Sequence, residues 1–395
     1  LPTRMKSFFG RAFKGRKEWL LEPADKGGQR AVSLLIPAGQ TVDENDLLEA
    51  ELVTSSGRET SAMMIRNLGP IDSPSAFIGL AIAEFSLRHE FNEACLSHAQ
   101  GAIVPALGTR QDLRNIPLIT IDGEDAKDFD DAVFAEPEAD GNWRLIIAIA
   151  DVAAYVTSDS PLDREARKRG NSVYLPGTVI PMLPEALSNG VCSLRPDEDR
   201  ACLAVEIIIS SNGLKKSHRF MRGLMRSHAR LTYTALQQVI DGQIDESNLS
   251  VPKGLLHHLI GAYRCLSAAR TMRGALNLDV PERRIVFSDD GQAKAAIMCR
   301  QQEANKLIEE FMIAANICAA EQIEAKHGTC VYRVHDQPDT EKLVGLRELT
   351  DALDLPFSSG HLITPARFNE LLDRVKDTPA QLAVNEAVLR CQSRA

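Results

Sequence analysis

The amino-acid sequence predicts a mixed α/β protein in which a small β-barrel of the OB or cold-shock kind precedes a larger α+β domain. Three observations carry this. Residues 1–67 break into short apolar runs punctuated by glycine and aspartate. From residue 111 onward, strand-length runs such as PLITID and RLIIAIAD alternate with long amphipathic segments at 254–273 and 303–325. A length of 395 residues exceeds what one hydrophobic core usually serves, so two or more domains are expected.

In chain order, KSFFGRAF, EWLLEPA, AVSLLIP, LLEAELV and SAMMIRNLG supply the strands of the barrel over 1–67. Its start is basic, with Arg4, Lys6, Arg11, Lys14, Arg16, Lys17, Lys26 and Arg30 against Glu18, Glu22 and Asp25. Phe8, Phe9, Phe13 and Trp19 lie among these cations, which suits a platform where bases stack on rings and phosphates meet Lys and Arg. At least half of those rings are expected in the core instead. Residues 68–110 read as a helical connector, because AFIGLAIAEFSL carries apolar positions at helical spacing.

The α+β domain spans 111–395. PLITID is a strand that stops at Asp122, and RLIIAIAD is apolar without alternation, as in a strand buried on both faces. Ser160-Pro161-Leu162-Asp163 gives a cap, a proline at the first helical position and an early acid, and Gly170 ends that helix. LAVEIIIS and KKSHRFMRG flank Asn212-Gly213, a hairpin signal.

Composition excludes several classes. No apolar run reaches the roughly 18–20 residues a membrane span needs, and no apolar signal core precedes the barrel. The chain begins at Leu1 and not at a methionine, so a true start upstream is expected. A cytoplasmic, monomeric protein is expected. The eight cysteines form no CxxC pair, so neither a zinc knuckle nor a thioredoxin-like motif is suggested, and reduced thiols are expected. The net charge of −9 does not exclude a nucleic-acid partner, because local patches govern phosphate contact.

The densest chemistry is TIDGEDAKDFDDAV, with Asp122, Glu124, Asp125, Asp128, Asp130 and Asp131 within ten residues. Like charges this close repel unless solvent or a cation offsets them. A solvated acidic loop is one reading, weakened by the apolar brackets PLITI and AVF and by Phe129. A calcium loop of the EF-hand type fails on register, since its fifth position would be Ala126 or Ala132. A Mg2+ or Mn2+ site for phosphoryl chemistry fits the residue types, with Asp122 at a strand end and an Asp-x-Asp-Asp cluster six residues later. The residues alone leave the solvated loop and the cation site both open.

The same segment closely resembles the signature of the ribonuclease II/R (RNB) family, its ribonuclease R branch in particular. The match continues through IADVAAYV, SPLDREARKRGNSVYLPGTVIPMLPEALSNGVCSL, SHARLTYT, EANKLIEEFMIAANICAA and YRVHDQP. It covers roughly 111–395, with the barrel resembling the family's second cold-shock domain less closely. The resemblance implies a hydrolytic exoribonuclease that degrades single-stranded RNA from the 3′ end to nucleoside 5′-monophosphates by two-metal chemistry. It implies Asp122, Asp128, Asp130 and Asp131 as catalytic metal-site residues for Mg2+ or Mn2+, with Asp130 the one whose loss damages chemistry more than binding. It implies Tyr174, Tyr233 and Glu309 as RNA contacts and no small-molecule cofactor. Each tyrosine has a core alternative, and Glu310 beside Glu309 reads as a solvated helix residue.

Two departures stand out. A phenylalanine that clamps the base stack in some family members aligns with Leu278, which offers no ring. The family's catalytic domain also continues to an arginine-bearing segment and a further RNA-binding domain, while this chain stops at VLRCQSRA. The expectation is a catalytic domain incomplete at its C-terminus, a missing first cold-shock domain, and an isolated fragment without activity. A non-catalytic RNA-binding protein on the same fold is the competing reading, and retention of all four aspartates weighs against it.

Overall fold

The structure, a computed structural model, describes residues 8–24, 31–54, 60–288, 293–357 and 363–394. The basic residues Arg4, Lys6, Lys26 and Arg30 lie outside the described residues. Contacts divide the chain into two units: one from 1–96, 161–184 and 283–297, the other from 97–160, 185–282 and 298–395.

In the first unit, strands β1 (Phe8–Lys14), β2 (Trp19–Pro23), β3 (Val32–Leu35), β4 (Asp46–Thr54) and β5 (Thr60–Pro70) close into a barrel of order β1-β2-β3-β5-β4. β1 pairs antiparallel with both β2 and β4, and β3 with β5 runs parallel, as a five-stranded OB-type barrel requires. Period-2 alternation decides the core: Ala12, Leu21, Leu34, Leu48, Ala50, Ala62 and Met64 point inward. Phe8 and Trp19 pack against that core, while Phe9 and Phe13 fall on the opposite face of β1 with Arg11. The aromatic start is therefore half core and half outer surface. Helices α1 (Pro74–Glu84) and α2 (Glu93–Gln100) follow the barrel in the chain.

The second unit is built on a seven-stranded sheet. Its strands are β6 (Gln111–Asp112), β7 (Ile119–Asp122), β8 (Asp131–Pro137), β9 (Trp143–Ala150), β12 (Asp199–Ile209), β13 (Lys215–Arg226) and β14 (Ala229–Thr232), in the order β14-β7-β8-β9-β12-β13-β6. Between β9 and β12 in the chain come α3 (Pro161–Arg169) and the hairpin β10 (Val173–Leu175) and β11 (Thr178–Ile180), which belong to the first unit. Leu145, Ile146, Ile147 and Ala148 of β9 are all fully buried, so the continuous apolar run is a strand covered on both faces. β12 and β13 form the hairpin at Asn212-Gly213; Gly213 has φ +74°, and a Cβ there would collide with the Cys265 carbonyl.

Helix α4 (Tyr233–Ile240) follows β14 directly, with Thr232 as its cap: the hydroxyl accepts the Ala235 amide at 3.1 Å. α5 (Leu255–Met272) and α6 (Glu303–Ala325) match the two amphipathic segments to within two residues. Later in the chain, β15 (Glu282–Phe287) and β16 (Ala293–Cys299) pair with each other as a two-stranded sheet that falls mostly in the first unit. α7 (Thr340–Ala352), α8 (Pro365–Val375) and α9 (Gln381–Cys391) close their own core around Leu346, Phe368, Leu371 and Val388. Leu278 packs against that core, so its apolar side chain has a packing role in this fold. Among the described residues, no helix is long and apolar enough to cross a membrane, and the cysteines are unpaired.

Candidate active site

Strand pairing brings the acidic segment and Tyr233 to one end of the sheet. β7 ends on Asp122 and its antiparallel neighbour β8 begins on Asp131, so both side chains leave the sheet at the same edge. β14 runs parallel to β7 with Thr232 opposite Asp122, so the chain turns into α4 at that edge and delivers Tyr233 there. The eight residues between Asp122 and Asp131 form no strand or helix.

Two of the carboxylates at this end of the sheet leave an oxygen without a protein donor. Asp122 and Asp131 are half-buried, and each has a buried Oδ2 with no hydrogen bond. A buried acceptor without a donor costs on the order of 1–3 kcal/mol, more when charged. Burial, then the charges of Asp128 and Asp130, push Asp122 up to about 6, against a smaller pull from Arg230. Burial, then Asp122 and Asp130, push Asp131 up to about 7. Asp130 keeps solvent access, yet burial followed by Asp128 raises it too. Tyr233 is half-buried, and burial with the charges of Asp122 and Asp131 pushes its phenol up to about 12, so it stays protonated beside them. Asp151, at the end of neighbouring β9, is the contrast: Arg110 Nη1 lies 2.9 Å from its Oδ2, close enough for charge pairing though not aligned as a hydrogen bond.

Unpaired, hard-oxygen, mutually repelling carboxylates are the donor set a divalent cation takes, and the two orphaned oxygens fit that use. Among the described residues, however, no three His, Cys, Asp or Glu side chains are drawn close enough to enclose an ion on their own. The four aspartates are electrostatically coupled without forming a closed cage.

Other predicted residues lie as follows. Glu309 on α6 accepts from Gln301 at 2.8 Å and from Arg270 at 3.3 Å. Glu310, read from the sequence as solvated, is instead 6% exposed and accepts from Arg270 Nη1 at 2.8 Å. It faces inward because the helix turns it onto the buried stripe with Leu307 and Phe311. Tyr174 stands on β10 in the first unit and is 70% exposed.

Sequence reasoning missed the residues that hold the acidic segment from outside it. Arg230 Nη2 donates to the carbonyls of Gly123 and Glu124 at 2.8 and 2.9 Å, and its guanidinium lies 5.3 Å from the Phe129 ring centre. Thr234 Oγ1 donates to Glu124 Oε1 at 2.7 Å. The parallel pairing of β14 with β7 creates these contacts, and ARLTYT has no local pattern that announces them.

Comparisons with known proteins agree on one family. The RNB domain model matches residues 110–395. Ribonuclease R of Escherichia coli strain K12 is 37% identical over 407 aligned residues, covering 100% of this chain and 49% of its own length. The chain thus spans about half the length of the curated relatives it matches. Among solved structures, Mycoplasma genitalium RNase R in complex with ribose-methylated single-stranded RNA superposes with a TM-score of 0.86 at 24% identity, over 99% of this chain and 63% of that one. Yeast Ssd1, described as a pseudonuclease, superposes with a TM-score of 0.68 at 17% identity, over 100% and 50%. These two likenesses establish the fold, and with the match over 110–395 and the full-chain identity to ribonuclease R, the chain belongs to the RNB family.

Proposed function

We propose that the protein carrying this chain is a hydrolytic 3′-to-5′ exoribonuclease acting on single-stranded RNA and releasing nucleoside 5′-monophosphates. The observation that carries the reading is the pair of orphaned oxygens on Asp122 and Asp131, with both carboxyls raised by burial and by their acidic neighbours. Acids placed this way are unfavourable unless a cation joins them. Asp122, Asp128, Asp130 and Asp131 would hold Mg2+, or Mn2+ in its place. Two such ions would supply activation of water and neutralisation of charge at the scissile phosphate.

The chain's own residues do the rest of the positioning. Tyr233, protonated beside Asp122 and Asp131, offers a ring to stack on the terminal base and a hydroxyl to donate toward the RNA. Tyr174, itself exposed, offers a second stacking surface, indifferent to sequence. Glu309, bonded by Arg270 and Gln301, would contact the RNA near the cleavage end, and a contact to the ribose 2′-hydroxyl would distinguish RNA from DNA. Chains on this fold need not be nucleases, and the acidic set is what separates the enzyme from an RNA-binding protein.

The test is run on the natural gene product that contains these residues. With Mg2+ and a 5′-labelled single-stranded RNA, the label should pass into progressively shorter products, and chelation should stop the reaction. Asp130→Asn should lower the rate on the order of 10^3-fold while RNA is still retained in a binding assay. Unaltered degradation by Asp130→Asn would contradict the assignment.

A further inference from the structure

A side chain from outside the acidic segment bonds it in the middle. Ser193 is fully buried, three residues beyond Gly190. Its hydroxyl donates to the Lys127 carbonyl at 2.9 Å and accepts the Phe129 amide at 3.1 Å. One oxygen therefore ties the peptides on both sides of Asp128. The neighbouring backbone continues the attachment: the Leu194 amide donates to the Phe129 carbonyl at 2.8 Å, and the Ala150 amide to the Asp130 carbonyl at 2.9 Å. Ser193 is itself fixed by Arg200, which is 6% exposed. Arg200 Nε donates to the Ser193 carbonyl at 2.8 Å, Nη1 to the Asp199 carbonyl at 2.9 Å, and Nη2 pairs with Glu198.

We propose that Ser193 is a positioning residue for Asp128 and Asp130, its hydroxyl setting the backbone from which both carboxylates project, with Arg200 holding it in place. The proposal rests on the divalent-cation reading above. Residues 123–130 form no strand or helix; the Leu194 and Ala150 amides fix the carbonyls of Phe129 and Asp130, and the Ser193 hydroxyl fixes the peptides on either side of Asp128. Only a group that donates and accepts at once can serve both Lys127 and Phe129 from one atom, and a hydroxyl does so. Without it, a buried amide loses its acceptor, and mutual repulsion is free to drive the two carboxylates apart. Ser193 would touch neither cation nor RNA. Its effect travels through the backbone, in the way that outer partners tune a metal site.

The experiment compares the parent chain with Ser193→Ala, with the near-isosteric Ser193→Cys, and with Asp130→Asn. Free Mn2+ is titrated by electron paramagnetic resonance at pH 8, and deuterium uptake is followed in peptides covering 122–131. Ser193→Ala should weaken Mn2+ binding on the order of 10-fold and speed exchange at Phe129, while β9 peptides stay protected. Ser193→Cys keeps the packing and should follow the same direction, which carries the test if the alanine variant does not fold. A merely structural serine would leave Mn2+ affinity unchanged. Parent-like affinity in both Ser193 variants, with binding lost in Asp130→Asn, would overturn the positioning role alone. Equal Mn2+ binding by parent and Asp130→Asn would overturn the cation reading and this proposal with it.

Discussion

Two acids of the first unit and two of the second are treated in opposite ways. In the first unit, Asp46 is 4% exposed and its Oδ2 accepts from the Asp43 amide at 2.9 Å and from Asn67 Nδ2 at 2.7 Å. Glu165, on α3 of the same unit, is 2% exposed and meets two guanidinium groups, Arg88 at 3.1 Å and Arg169 at 3.2 Å. Burial alone would raise Glu165, but the bonds from Arg88 and Arg169 outweigh it and hold the carboxyl below its usual value. In the second unit Asp122 and Asp131 also have buried oxygens, yet they have acids for neighbours and no donors. An acid that serves the fold is saturated by the protein. An acid that protein groups leave unsaturated, at the cost of stability, marks a place where something else completes it.

The largest test of that contrast is to remove a saturated acid. Glu165→Ala takes the only carboxylate it is shown to meet from Arg169, itself 3% exposed and otherwise bonded to backbone carbonyls, and should cost about 3 kcal/mol in denaturant unfolding, with Glu165→Gln losing less. A loss below 1 kcal/mol for the alanine variant would show that the pair does not anchor α3. Its pH dependence has a definite sign. A carboxyl held low in the fold stabilises above its unfolded pKa, and that stability is lost as pH falls through the folded value.

A smaller effect is expected in the barrel. Asp46→Ala leaves the Asp43 amide and Asn67 without their acceptor and should cost about 1–3 kcal/mol, seen in the same unfolding curves.

Removing an unsaturated acid should do the reverse. Asp131 is raised to about 7, so the folded state holds its proton more tightly than the unfolded chain does. Without divalent cation, stability is therefore lost as pH climbs from about 4 through about 7. Asp131→Asn removes that loss. Its melting temperature should exceed the parent's by a few degrees, on the order of 1 kcal/mol, at pH 8 in chelator, and match it near pH 4. A variant less stable than the parent at pH 8 would mean that Asp131 is a structural acid after all.

The sequence made much of this framework legible, for local reasons. Strand runs such as RLIIAIAD, the Asn212-Gly213 turn, and the spans of α5 and α6 are written in period and in turn chemistry, which neighbouring residues determine. The acidic segment was legible because six carboxylates in ten residues are costly anywhere else. Arg230, Thr234 and Ser193 were not legible, because each reaches the segment from more than sixty residues away through strand pairing and burial. The inward turn of Glu310 and the packing of Leu278 against the α7–α9 core escaped for the same reason: both depend on what a helix or loop packs against.

The account stands most directly on where a divalent cation goes. Crystals soaked in Mn2+ and measured for anomalous scattering should show density among Asp122, Asp128, Asp130 and Asp131, and none beside Glu165 or Asp46. A map without a peak at the ends of β7 and β8, or with Mn2+ bound only elsewhere, would contradict it.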